Sequence, residues 1–189
     1  LGQHPAVSRL LKGIFNTNPP QPRYSVTWRV DTVTTFLSSL GPNDDLSLRQ
    51  LTYKLVMLLA LTSAGRAADL CMLSTSSIRK LPSGWETDSL LCPVQALECY
   101  LTRTASLRNS ATAVLLTTQK PFHPASRDTV ANWIRRTLSL AGIDTKVFKA
   151  HSTRGASTSK AFQAGVPLSE ILEAVDWSSA NTFNRFYQR

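Results

Sequence analysis

Nine consecutive residues constrain this chain more than any others. Asn16 to Tyr24 reads NTNPPQPRY, and three prolines among polar neighbours remove backbone donors and favour an extended connector, so no helix continues through them. The sequence is thereby divided. Before the break, Pro5 to Phe15 places Val7, Leu10, Leu11 and Ile14 on one helical face, the pattern expected of the last helix of a preceding domain. Residues 1–25 are accordingly read as the final helix of a preceding domain plus a Pro-rich linker, and residues 26–189 as the main domain.

After the linker, Val30, Val33, Phe36, Leu37 and Leu40 recur at helical spacing, with Gly41 as the terminator. Ser47 to Leu61 predicts a second helix, capped by Ser47 and so apolar in its latter half that it belongs at the centre of the domain. Pro93 suits the first turn of a helix running to about Leu107, and Asp128 to Leu140 predicts another, ended by Gly142. Thr153 to Ala164 with Gly165, Pro167 to Val175, and Ala180 to Tyr187 follow. Strand signals are few: Val114 to Thr118 is one, and Ile78 to Trp85 reads as part of a hairpin. The expected fold class is mainly α with a small antiparallel β-sheet. With 189 residues, 42% of them apolar and 17% charged, one substantial core is expected and disorder is not.

Lys and Arg outnumber Asp and Glu by 21 to 12, a formal charge of +9, which favours a polyanionic partner; nucleic acid, a membrane surface and a merely solvated basic face all fit that number. Cys71, Cys92 and Cys99 are odd in number, lack CxxC spacing and sit in apolar stretches, so reduced core thiols are expected. The longest apolar run, Leu55 to Leu61, is too short to span a bilayer, and no cleavable leader is visible. An intracellular location is expected, and a nuclear one for a DNA substrate.

The chemistry-bearing residues lie toward the C-terminus: HSTR at His151 to Arg154, then WSSANTFNRFYQR from Trp177 onward, with Arg66 upstream in LALTSAGRAADL. An Arg after an apolar helix, then H-x-x-R, then Trp, then Tyr, resembles the signature of the tyrosine recombinase (phage integrase) family, and Arg66 with Ala67, Ala68, Asp69 and Leu70 resembles its R-x-S-E-L element. The phrases LCPVQAL, KPFHPAS, GIDTKVFKAHSTRGASTSKA and WSSANTFNRFY look most like recombinases of DIRS-type retrotransposons, over roughly Val26 to Arg189. The resemblance implies the integrase catalytic-domain fold and a double-stranded DNA partner. It also implies self-association into a synaptic assembly on DNA, with the isolated chain a monomer or weak dimer. The activity implied is site-specific cleavage and rejoining in the integration of a mobile element, with no cofactor and no membrane.

Elementary chemistry explains why these residue types would be assembled. A phosphodiester repels nucleophiles through its anionic oxygens, so fixed positive donors are needed, and the planar Arg fork can bridge two oxygens at once. Arg66 and Arg154 would take that role. His151 and Arg154, three apart at a helix start, would converge on one phosphate where the helix N-terminus adds partial positive charge. The Trp177 indole N–H would donate to a non-bridging oxygen. Tyr187 would be the nucleophile, its phenol helped to deprotonate by nearby cations or by His151, because a free phenol titrates near pH 10. A phosphotyrosyl ester preserves the bond energy, so resealing needs no ATP. Nothing resembles a nucleotide phosphate loop, and with three histidines in the chain and no Asp/Glu cluster beside His151, a two-metal nuclease is poorly supported.

Each residue also has an ordinary reading. Arg66 would suit a helix-end cation, His151 a satisfied core or surface histidine, and Arg154 a partner of Glu170 or Asp176. Trp177 would suit a core aromatic, and Tyr187 a packed helix face with Phe183 and Phe186. Two departures from the family stand out. Nine residues separate Trp177 from Tyr187, one more than in many members, and Phe186, which cannot attack, holds the shorter position. The hairpin that should carry a lysine toward the leaving 5′ oxygen is almost absent, leaving Lys80 as the sole lysine in that gap. The alternatives are therefore a catalytically impaired or domesticated DNA-binding module retaining the fold, a type IB topoisomerase activity, and, from another class, a helical protein–protein adaptor.

Overall fold

The computed structural model describes residues 4–18, 26–79, 90–175, 177 and 183. Helix α1 spans Pro5–Thr17, opened by His4, whose ring accepts the Ala6 N–H, and by Pro5 in its first turn. Its stripe of Leu10, Leu11 and Ile14 is exposed.

The centre of the fold is α3 (Leu48–Ser63), where sequence and packing agree. Ser47 caps it as expected: its Oγ accepts the Gln50 N–H at 3.3 Å, while Gln50 Oε1 accepts the Ser47 N–H at 3.1 Å. Leu51, Leu55, Val56, Met57, Leu58 and Ala60 are buried, so nearly the whole circumference faces protein. Around it pack α5 (Pro93–Thr104), α6 (Arg127–Leu140) and α7 (Ser152–Gln163). Helix α2 (Val30–Ser39) contributes Val33 and Leu37 to the same core. Burying each large apolar side chain contributes roughly 1.5–3 kcal/mol, enough in sum to accommodate one charge inside. That charge is Lys54, fully buried, whose Nζ donates to the Gly41 carbonyl at 2.8 Å. Burial lowers its pKa from the ordinary lysine value. Gly41, at φ +83°, adopts the left-handed turn that the α2 terminator was expected to need.

The expected antiparallel β-sheet is not there. Among the described residues no strand or sheet forms, and only two isolated bridges occur, Ser74 with Ala113 and Leu116 with Pro124. The physical reason lies in the partners available to residues 113–117. On one side Val114 N–H reaches the Leu73 carbonyl at 2.8 Å, and beyond Ser74 the chain turns into a short 3₁₀ segment, Thr75–Ser77. On the other side Leu115 accepts the Ala125 N–H at 2.9 Å and Thr117 N–H reaches the His123 carbonyl at 2.8 Å, but between them stands Pro124, with no N–H. Val114, Leu115 and Leu116 are consecutively buried, which explains the strand-like signal: the run is extended and interior without being laddered. It is held by side chains instead. Tyr100 Oη accepts the Leu116 N–H at 2.9 Å, and Arg108 donates to the carbonyls of Ala113 and Val114 at 2.6 and 2.8 Å. The expected hairpin from Ile78 to Trp85 falls, from Lys80 onward, outside the described residues.

Beyond α7 the described residues include α8 (Leu168–Ala174), reached through Gly165 at φ +88°. A short helix absent from the sequence reading, α4 (Ala67–Cys71), follows α3 and packs on α6. All three cysteines are free thiols, Cys92 buried and the other two half-buried. Among the described residues, no helix is long and apolar enough to cross a membrane.

Candidate active site

Helix α3 ends with Ala64 in the left-handed region (φ 46°, ψ 28°), and Gly65 then turns the chain into α4. Arg66 is the residue that precedes α4; its backbone N–H donates to Asp69 Oδ2 at 2.8 Å, and its side chain is exposed. Asp69, in the R-x-S-E-L-like element, therefore fixes the backbone from which Arg66 projects. The Gly65 turn is tight as well. A Cβ added there would stand 2.8 Å from Ser63 Oγ, an oxygen that donates to the Leu59 carbonyl at 2.6 Å and accepts the Gly65 N–H at 3.1 Å.

His151 is the residue before α7, and Arg154 lies in its first turn. Their environments differ: His151 is exposed, whereas Arg154 is 4% exposed. The Arg154 guanidinium lies over the Trp177 ring, 4.8 Å from Cζ to centroid, and its Nη2 donates to the Val175 carbonyl at 2.5 Å. The carbonyl belongs to the residue after α8, so the guanidinium closes the end of that helix while facing an aromatic ring. The Arg154 backbone carbonyl is itself gripped by Thr158 Oγ1 at 2.8 Å and Ser157 Oγ at 3.2 Å. Trp177 is half-buried, its backbone N–H bonded to the Leu172 carbonyl at 2.9 Å. Its ring is 6.2 Å from Phe183, which is fully buried and lies 5.3 Å from Phe162 of α7.

Arg154 and Trp177, remote in sequence, are thus in contact, with His151 on the same turn as Arg154. The α3 end and α7 border a cavity of about 240 Å³ lined by Ser63, Ala64, Thr158, Ala161, Ile171 and Val175. Tyr187 and Lys80 lie outside the described residues.

Over residues 40–189 the sequence matches the phage integrase family. The chain belongs to this family. Its members are tyrosine recombinases, DNA-binding enzymes that cut and rejoin DNA. No curated protein matches the chain in sequence. The integrase match takes in α3 to α8 and all six residues singled out in the sequence, Arg66, Lys80, His151, Arg154, Trp177 and Tyr187. It leaves out α1, the linker, the segment leading into α2 and α2 itself.

That unmatched segment holds a site contact with no counterpart in the sequence reading. Trp28 is buried, and its Nε1–H donates to Ser152 Oγ at 2.9 Å, inside the HSTR motif. The only sequence signal was an isolated tryptophan after a proline-rich stretch, which does not point across 124 positions. Beside Ser152, the Thr153 hydroxyl is buried with no hydrogen-bond partner among the described residues.

Proposed function

We propose that this integrase-family chain breaks a DNA strand by attack of the Tyr187 phenolic oxygen on a backbone phosphorus. The new O–P bond is a 3′-phosphotyrosyl ester, and the 5′ oxygen leaves as a hydroxyl. In the reverse sense a 5′ hydroxyl from a second duplex attacks the ester, restoring the phosphodiester and releasing the phenol. Arg66 and Arg154 would neutralise the non-bridging oxygens, His151 would take and return the phenolic proton, and Trp177 would donate its indole N–H. Lys80 is the one lysine available in its gap to protonate the leaving oxygen.

The observation that carries this reading is the Arg154–Trp177 contact at the start of α7: two residues that the family motif requires at one phosphate, 23 positions apart, share one spot. The recombinase phrases further suggest an element of the DIRS retrotransposon type, acting on nuclear DNA through a multi-protomer synapse. The exposed apolar stripe of α1 supports reading residues 1–25 as a piece of a neighbouring DNA-binding domain and 26–189 as the catalytic one.

A DNA duplex nicked near the cleavage point, from which the released fragment diffuses away, should trap a covalent protein–DNA complex. Trapping should vanish with Tyr187→Phe; equal trapping would refute the assignment. The poverty of lysine between Ile78 and Leu97 favours one second reading, a domain that binds DNA without completing the reaction. Steeply salt-dependent binding with no covalent product would select it.

A further inference from the structure

We propose that Trp28 is a positioning residue for the H-x-x-R turn, holding His151 and Arg154 in register through the hydroxyl of Ser152. The inference rests on the reading of those two residues as phosphate-binding groups.

The geometry is that of a bridge. Ser152 lies between His151 and Arg154, and its hydroxyl does two things at once: it accepts the Trp28 Nε1–H at 2.9 Å and donates to the Lys149 carbonyl at 2.7 Å. The Ser152 backbone N–H reaches the same carbonyl at 2.9 Å. With a donor on one side and an acceptor on the other, the hydroxyl has a single rotamer that satisfies both. Trp28 and Ser152 are 4% and 6% exposed, so water cannot replace either partner, and a lost bond leaves a buried polar atom unsatisfied. The indole is thus tied to the turn that launches α7.

A second tie lies further along the same helix. Lys160 Nζ contacts both oxygens of Asp31, at 2.9 and 3.0 Å. Residues 28–31 therefore run beside α7, fastened at its first turn and again eight residues later, with a groove between them lined by Ala156, Ser159 and Gln163. A buried tryptophan usually finds an acceptor for its ring nitrogen, and what matters is which acceptor it finds. Here the ring nitrogen is aimed at the residue between the two site side chains, and a displacement of about 1 Å in such a group is enough to cost about a hundredfold in rate.

The test compares Trp28→Phe, which keeps an aromatic ring and deletes the donor, with Ser152→Ala and the double variant. On a nicked duplex at saturating DNA, at a temperature where every variant is folded, each single variant should slow covalent-complex formation about tenfold or more, with DNA affinity near wild type and a melting temperature lower by the few degrees that one unsatisfied buried group costs. The double variant should be no slower than the slower single, because one interaction is removed in every case. A wild-type rate in Trp28→Phe overturns the proposal, and so does a rate loss that follows affinity or that comes only from unfolded protein at the assay temperature. Amide hydrogen exchange across Thr153 to Ser157 reads the same tie without chemistry: Trp28→Phe should accelerate it about tenfold at this turn while leaving α5 and α6 unchanged. Unaltered exchange overturns the proposal. A wild-type protein that forms no covalent complex would sink the recombination chemistry alone, leaving the exchange measurement to decide the tie.

Discussion

The Arg154 guanidinium is held between the Trp177 ring, 4.8 Å from its centroid, and the Val175 carbonyl, so one side chain joins the first turn of α7 to the chain beyond α8. A lysine there would keep the charge and lose the planar fork that contacts a ring and a carbonyl together and, in the proposed reaction, would also reach a phosphate oxygen. Arg154→Lys is expected to lower covalent-complex formation by about a hundredfold or more, the scale of losing one fixed donor to a developing anion. Single-turnover trapping at saturating DNA checks this, and a loss under about threefold would remove Arg154 from the phosphate site.

The tie between Asp31 and Lys160 is pH-dependent in a definite sense. The hydrogen bond from Lys160 lowers the Asp31 carboxyl below its ordinary value of 3.8. The folded state therefore holds the proton less tightly than the unfolded one, and the stabilisation is present above pH 3.8 and lost as pH falls through the folded value. Urea unfolding of wild type and Asp31→Asn should show wild type the more stable at pH 6, the gap closing toward pH 3. A gap that widens on acidification would contradict the assigned pair. Both partners are exposed, so the gap at pH 6 is expected to be small.

Tyr100 makes the opposite prediction at the alkaline end. Burial pushes its phenol above the ordinary tyrosine value of 10, and its oxygen accepts the Leu116 N–H. Stability from this group is complete below pH 10 and declines as pH rises through the folded value. Tyr100→Phe leaves a buried N–H without an acceptor and should cost about 1–3 kcal/mol near neutrality. Denaturant titration at pH 7 and pH 10.5 should find the wild-type advantage reduced at the higher pH.

These groups also mark what could be read in the sequence and what could not. The Ser47 cap, Pro93 in the first turn of α5, and Gly41, Gly142 and Gly165 beyond helix ends were legible because each acts within one turn of chain. The sheet was misread because three consecutive apolar residues, Val114 to Leu116, are buried on both sides, a condition that an extended run held by Tyr100 and Arg108 satisfies as well as a strand does. At the site, the H-x-x-R spacing was legible. That Arg154 would be buried and Arg66 and His151 exposed was not, since burial depends on where α8 and Trp177 pack. The Trp28–Ser152 bond was invisible for the same reason: nothing local selects one hydroxyl among the many in STRGASTS. The last expected helix, Ala180 to Tyr187, lies outside the described residues except for Phe183.

Gly65 offers a prediction in which a defect and its repair are both specified. A methyl group at this position would meet Ser63 Oγ at 2.8 Å, and that oxygen cannot swing aside freely because it donates to the Leu59 carbonyl and accepts the Gly65 N–H. Relief requires either breaking those bonds or shifting the backbone that leads directly into Arg66. Gly65→Ala should therefore slow covalent-complex formation by about tenfold or more, through displacement of a charged group by a fraction of an ångström to an ångström. Ser63→Ala removes the obstructing oxygen while keeping a small residue at the last position of α3. Combining the two substitutions should recover most of the rate, with Ser63→Ala alone slower by no more than a few-fold, since it gives up the same two exposed bonds without displacing the backbone. If the combined variant stays as slow as Gly65→Ala, the obstruction is not at Ser63 and the turn constrains Arg66 by some other contact.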